Sequence, residues 1–229
     1  MRSVYNLFVC ILLVLPIVLS ACGDSEEPKT VIEDDGMIWT SQEGYFVQGY
    51  VDVEQLAVEA CSGYAKVGCL GLAVDCDRVD NPFDRNYKGP FIPYGTNFSV
   101  LNAFQKMKLV SDSDFDEQHK ARMPLADIVM FVGASPYDFI AGGYRNAYKW
   151  DETEIEFYKK GVYTYKYGYA PVYRVLSEMD ASDYRLIHPG FCLVFLTQPT
   201  LNKTHNLTLT VTDGKWKNWE VTWRQQFGE

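Results

Sequence analysis

"HNLTLTVTDGKWKNWEVTWR", His205 to Arg224, is the stretch whose reading decides the fold. Leu207, Leu209 and Val211 alternate with threonines, and Trp219, Val221 and Trp223 alternate on the return. A period of two sends successive side chains to opposite faces of a strand, so each run has one apolar and one polar face. Asp213-Gly214 between them is turn chemistry. The stretch reads as a β-hairpin that needs a second sheet to cover its apolar side.

Working outward, strand patterns dominate. "FCLVFLT" (Phe191–Thr197) stops before Pro199, and "DIVMFVGAS" (Asp127–Ser135) is an apolar run that ends in turn residues. "FQKMKLVS" (Phe104–Ser111) alternates at Met107 and Leu109, and "MIWT" and "GYFVQGYV" supply strands near the start. "GVYTYKYGYAPVYRVLSE" (Gly161–Glu178) is one strand or two, in which Pro171 demands a bend or a sheet edge. Helix is scarce. "DVEQLAVEAC" suits two or three turns, with Asp52 as N-cap and Val53, Leu56, Ala57 and Ala60 on one side. "DETEIEFYKK" has early acids and late lysines that match the helix dipole. Many short strands with a helix or two inserted predict an antiparallel β-sandwich, immunoglobulin-like or related, over residues 36–229. A Pro/Gly-rich excursion, residues 76–98, interrupts it; its aromatics Phe83, Tyr87, Phe91 and Tyr94 predict a packed loop.

The N-terminus gives the location. Arg2 precedes an apolar run too short and too Pro-interrupted to span a bilayer, which reads as a signal peptide over residues 1–21. It closes with "LSAC", Leu19 to Cys22, which resembles the bacterial lipobox. The resemblance implies cleavage before Cys22, a diacylglycerol on its sulfur and a further acyl chain such as palmitate on its amine. At ~0.8 kcal/mol per buried CH2, several such chains hold a protein in the membrane permanently. Residues 22–35 carry Asp24, Glu26, Glu27, Glu33, Asp34 and Asp35 against Lys29 alone, a composition for a flexible tether. An acidic cluster behind the lipidated Cys resembles the export signal of Bacteroidota surface lipoproteins. That implies display on the outer face of the outer membrane, with the periplasmic face as the alternative.

The formal net charge is −9. An acidic body excludes nucleic acid as a partner, because phosphates demand a basic patch. It also argues against charge-driven docking on anionic lipid. After the signal peptide and the acylated Cys22, Cys61, Cys69, Cys76 and Cys192 remain. In an oxidising compartment one bridge among Cys61, Cys69 and Cys76 is expected. Their spacing suits no metal knuckle, so neither metal nor cofactor is expected.

Catalytic motifs are weak. "DSDFDE" alternates Asp112, Asp114 and Asp116 like the start of a calcium loop, but Glu117 and Met123 stand where Gly and Glu are needed. Ser135 in "GASPY" lacks the second Gly of a nucleophile elbow. His119, His188 and His205 are scattered. Aromatics are the richer signal, since 10 of 16 tyrosines lie between Tyr137 and Tyr184. The alternating Tyr163, Tyr165, Tyr167 and Tyr169 read as the inner wall of a half-buried strand. The Gly-rich loop "SPYDFIAGGYRNAYKW" is the better binding platform, and Tyr144, Tyr148 and Trp150 are its candidate ligand contacts.

Lipobox, acidic tether and β-rich body together resemble Bacteroidota surface lipoproteins. "VSDSDFDEQH" (Val110–His119) and "HPGFCLVFLTQPTLNKTHNLTLTVTDGK" (His188–Lys215) are similar to small families of that group whose domain has no assigned function. The expectation is a non-catalytic surface module that binds glycan or protein through aromatic loops. An extracellular hydrolase acting on polysaccharide or peptide, and an assembly subunit of an outer-membrane complex, are the alternatives.

Overall fold

Twelve strands run along the described residues of the computed structural model: β1 (Thr30–Ile32), β2 (Ile38–Gly44), β3 (Gly49–Cys61), β4 (Tyr64–Asp75), β5 (Tyr87–Pro90), β6 (Phe98–Val100), β7 (Phe104–Ser111), β8 (Val129–Ser135), β9 (Ala170–Val175), β10 (Gly190–Phe195), β11 (Thr204–Asp213) and β12 (Asn218–Gln226). Two short helices, α1 (Tyr137–Ala141) and α2 (Glu152–Lys159), lie between β8 and β9. The structure describes residues 30–32, 38–79, 84–90, 97–145, 152–162 and 168–228, with backbone alone for 30–32, 38–43, 89–90, 154–155 and 158. Among these residues no helix is long and apolar enough to cross a membrane.

The fold is mainly β, a sandwich of a six-stranded sheet ordered β6-β3-β4-β10-β8-β9 against a three-stranded sheet ordered β12-β11-β7. Pairing is antiparallel throughout except between β3 and β6, which run parallel. β1-β2-β5 form a separate small ladder. Its first strand lies inside the stretch expected as tether, so Thr30–Ile32 pairs with Ile38–Thr40. Pro171 sits in β9, the edge strand, where its missing N–H costs no ladder bond.

The hairpin that opened the reading is β11 and β12, and its alternation is its burial pattern. Leu207, Leu209, Val211 and Trp219 turn inward against Phe104, Met107 and Leu109 of β7. They meet Val53 and Leu56 of β3, Ala65 and Val67 of β4, Phe131 of β8 and Leu193 of β10 in one continuous core. Each large side chain removed from water there contributes ~1.5–3 kcal/mol.

The stretch expected as a helix, Asp52–Cys61, is instead most of β3. Its helical spacing has a β cause. The register of β3 on β4 slips between Val53 and Gln55, inserting one extra residue. That bulge lets Val53 and Leu56, three apart, both face the core, an i,i+3 pattern made by a strand. Gly71, opposite Val53, makes the close approach possible: a Cβ there would overlap the Asp52 carbonyl oxygen. The hairpin turn is also wider than Asp-Gly predicts. The loop runs through Trp216 at φ 65, and the buried Asp213 carboxylate accepts the N–H groups of Lys215 and Lys217.

A second apolar cluster lies on the other face of the six-stranded sheet. Phe46, Tyr87, Phe139 and Tyr169 pack there over Val132 and Ala134 of β8 and Cys192 of β10. The sheet is therefore sealed on one side and partly covered on the other.

These contacts make Gly71 the least replaceable glycine of the sheet. Gly71→Ala is expected to lower stability by ~3 kcal/mol or more in denaturant titration. Gly68→Ala, where a Cβ meets nothing within 4 Å, is expected to change it by less than ~1 kcal/mol. Equal effects would contradict the bulge geometry.

Candidate functional site

The second face of the six-stranded sheet holds a groove of ≈ 310 Å³ between β4, β10 and β8. Register explains why it is open. Directly opposed residues share a face, so Lys66 of β4, Cys192 of β10 and Val132 of β8 lie in one row across the sheet. One step along, Gly68 faces Gly190, and a Cβ at Gly68 would meet nothing within 4 Å. Two glycines side by side leave a bare patch of backbone where other strands carry side chains. Gly161, Val162 and His188 form the wall.

The polar groups of the groove are few. His188 Nδ1 lies 3.0 Å from the Gly190 N and 3.2 Å from the Gly190 carbonyl oxygen, which fixes the ring against the start of β10. The His188 ring also packs edge-on to Tyr169, centroids 6.0 Å apart. Lys66 forms a loose pair with Glu59 at 4.0 Å, both side chains well exposed, so its ammonium is available to a ligand at little cost. Burial pushes the Cys192 thiol up to about 11, more than nearby Lys66 pulls it down. Only a thiolate attacks, so at neutral pH this sulfur is a small apolar floor residue and no nucleophile. The groove offers an aliphatic floor, a cation, an imidazole and exposed glycine backbone.

The cysteines expected to bridge do not. Cys61, Cys69, Cys76 and Cys192 are all free thiols. In the β3–β4 register Cys61 faces Tyr64, whereas Cys69 faces Leu56, five residues along β3. That offset is ~16 Å at ~3.3 Å per residue, beyond the roughly 4.4–6.8 Å between Cα atoms that a disulfide spans. Cys69 also points into the core, where burial raises its thiol to about 12.

Of the aromatic candidates, Tyr148 and Trp150 lie outside the described residues, as do Cys22 and Tyr163, Tyr165 and Tyr167. Tyr144 is half-buried at φ 62, its ring edge-on to Tyr87 and Phe139. Its hydroxyl donates to Asp84 Oδ1 at 2.9 Å. Asp84 is fully buried and also accepts the N–H groups of Phe46 and Val47, both at 2.8 Å. Burial raises the Asp84 pKa, and these three donors oppose the rise. Tyr144 is thus part of the latch that ties the Pro/Gly-rich excursion to the body, with Tyr169 packed into the same cluster.

The acidic run Asp112–Asp116 is a set of staples. Asp112 accepts the backbone and amide N–H of Asn206, Asp114 the N–H of Ala121, and Asp116 those of Gln118 and His119. These carboxylates brace the loop, and among the described residues no group of three His, Cys, Asp or Glu could hold a metal. His119, 7 % exposed, is clamped between Asp116 on Nδ1 (2.8 Å) and Asp127 on Nε2 (3.1 Å). His205 accepts from the hydroxyls of Ser111 and Ser113 on Nδ1 and donates from Nε2 to the Asn202 carbonyl. Ser135 Oγ donates to the Arg185 carbonyl at 2.6 Å. These groups hold loops. Sequence reasoning passed over Lys66, Gly68 and Gly190 because nothing local marks them; only the long-range register of β4 on β10 brings them together.

Compared with known protein families, with curated proteins and with solved structures, the chain matches none. The functional argument therefore rests on the geometry of the groove.

His119 gives the protein a readable pH dependence. Burial lowers its pKa, but the hydrogen bonds and charges of Asp116 and Asp127 outweigh that and raise it above 6.5. A raised folded pKa stabilises fully below 6.5, and the contribution fades as pH climbs through the folded value. Melting temperature is expected to fall as pH rises above 6.5 in the wild type, and to fall less in His119→Gln. Parallel curves for the two proteins would contradict the clamp.

Proposed function

We propose that the chain is a non-catalytic binding domain, held by an acylated Cys22 on the outer face of the outer membrane, and that the groove over β4, β10 and β8 receives its ligand. The observation that carries this is the pair of facing glycines, Gly68 and Gly190, beside Lys66 and His188. Glycines inside strands weaken a sheet, so a facing pair gives stability nothing, and a volume of ≈ 310 Å³ lies at the small end of ligand sites. The chemistry suits one sugar ring at the end of a glycan. Its C–H face lies on Val132, Ala134 and Cys192, while Lys66 and His188 reach its hydroxyl or acidic edge. A protein side chain is the second occupant of that size.

The same geometry weighs against the hydrolase reading. His119 and His205 have both ring nitrogens engaged, and the thiol in the groove stays protonated. The lipid anchor rests on "LSAC" and the acidic residues behind it, and an acylated N-terminal peptide in mass spectrometry is its direct check.

Gly68, paired with the groove-lining Gly190, accepts a Cβ without a clash, and Phe is a good strand residue, so Gly68→Phe sets a ring at the rim of the groove. Binding to a panel of outer-membrane and extracellular polysaccharides, read by calorimetry, is expected to weaken at least ~10-fold, or ~1.4 kcal/mol, with the fold retained. Lys66→Ala should lose affinity chiefly for acidic glycans. Unchanged affinity in a folded Gly68→Phe protein would contradict the site.

A further inference from the structure

In the middle of β4, Leu70, Gly71, Leu72 and Ala73 are exposed one after another, Leu70 at 44 % and Leu72 at 63 %. Four consecutive exposed positions without a polar side chain are foreign to a monomer's surface unless they serve a contact. The cause is where the neighbouring strand starts. β4 pairs with β3 along its whole length, but with β10 only as far as Gly68, because β10 begins at Gly190. Cys69 N closes that side by donating to the Pro189 carbonyl. Past it, no described strand lies on the second edge of β4.

Register decides which backbone groups that edge offers. Directly opposed residues of an antiparallel pair turn their N–H and C=O either toward each other or both away. Val51 and Val53 of β3 turn theirs away from β4: the Val51 carbonyl accepts from Leu101 N, and Val53 N donates to Asn102 Oδ1. Their partners Ala73 and Gly71 therefore point theirs to the open side, and Asp75 follows by alternation. Among the described residues nothing bonds to the outward groups of these three. Proteins that keep an edge strand to themselves guard it with lysine, proline or an inward charge. Residues 70–74 carry none of these.

We infer that a second copy of the chain adds at this edge, β4 against β4, antiparallel about a two-fold axis at Ala73. Only a strand satisfies a strand edge, and this one complements itself. With the axis at Ala73 the open residues meet one another. Ala73 meets its own counterpart and Gly71 meets Asp75 of the second copy, for about six hydrogen bonds. On the groove face Leu72 lies opposite Val74 of the second copy, at the ~4.5–5.5 Å of a cross-strand pair. The lengths agree too. β4 ends at Asp75, where a 3-10 turn, Cys76–Arg78, diverts the chain, so the added strand stops short of Pro189. No like charges oppose each other, since Asp75 faces a glycine. Asp52 and Glu54 lie one strand back on β3, three strand spacings or roughly 14 Å from their counterparts. An axis normal to the sheet leaves both grooves open on one face of a continuous sheet. The seam does not depend on the groove reading; together they make the protein bivalent for a polymer.

The test is the protein mass of the full chain in detergent, by sedimentation velocity from ~1 to ~100 μM, with amide exchange on the same samples. The expected result is a monomer–dimer equilibrium that moves with concentration, and exchange over residues 70–75 at least ~10-fold slower in the concentrated sample. Leu72→Lys sets a charge in the seam at a position the monomer already exposes. Ala73→Pro removes one outward N–H, which β3 does not use. Both variants are expected to stay monomeric at unchanged circular dichroism; if Ala73→Pro unfolds, Leu72→Lys decides. A wild type that is monomeric throughout overturns the inference, and so does a dimer that persists in folded Leu72→Lys, as one held by the anchors alone would. A dimer whose exchange over 70–75 ignores dilution overturns it as well, as does a different protein held at this edge in stoichiometric amount. None of these readouts involves a polysaccharide, so the seam and the groove fail independently.

Discussion

The carbonyl of Val53 is the polar tie at the centre of the contact between the two sheets. The bulge in β3 takes that oxygen out of ordinary ladder pairing, and Trp219 Nε1 reaches it from the opposite sheet at 2.9 Å, with Lys217 Nζ at 3.2 Å. A buried indole N–H without a partner would cost ~1–3 kcal/mol, so the bulge and the tryptophan need each other. Gly71 is the third member, since only a residue without a Cβ lets β4 close on the bulge. The rest follows from where this bolt lies. It faces Val53 and Leu56 into one core, fixes the foot of the β11–β12 hairpin and its raised Trp216, and commits that face of the six-stranded sheet to packing.

With one face so committed, the proposed ligand site falls to the other. There the cover is incomplete. Phe46, Tyr87, Phe139, Tyr144 and Tyr169 make a second core around the buried Asp84. One row beyond Lys66 and Cys192, away from Tyr64, the facing glycines leave the sheet bare. The tyrosine-rich segment thus divides its labour, with Tyr144 and Tyr169 serving the wall while the groove beside them takes its polarity from Lys66 and His188.

Much of the fold was legible because its signals are local. Alternation at Leu207–Val211 and Trp219–Trp223 named the hairpin, Pro171 narrowed its segment to a bend or a sheet edge, and the charge order of Asp151–Lys160 marked α2. The misread helix at Asp52–Cys61 failed for a physical reason, since one inserted residue turns a two-residue period into a three-residue one. The expected bridge among Cys61, Cys69 and Cys76 failed because sequence spacing ignores register. The groove could not have been read at all. A lone Gly68 and a lone Gly190 look like turn or filler residues, and only their pairing across β4 and β10 makes them a site.

The central claim is that this bare patch is where the protein holds its ligand. Amide hydrogen exchange, compared with and without a saturating outer-membrane polysaccharide, reads that most directly. Slowed exchange should centre on residues 66–68 and 188–192, with 106–111 and 207–211 unchanged, since those lie behind the core. Protection that appears elsewhere and spares 66–68 and 188–192 would contradict the account.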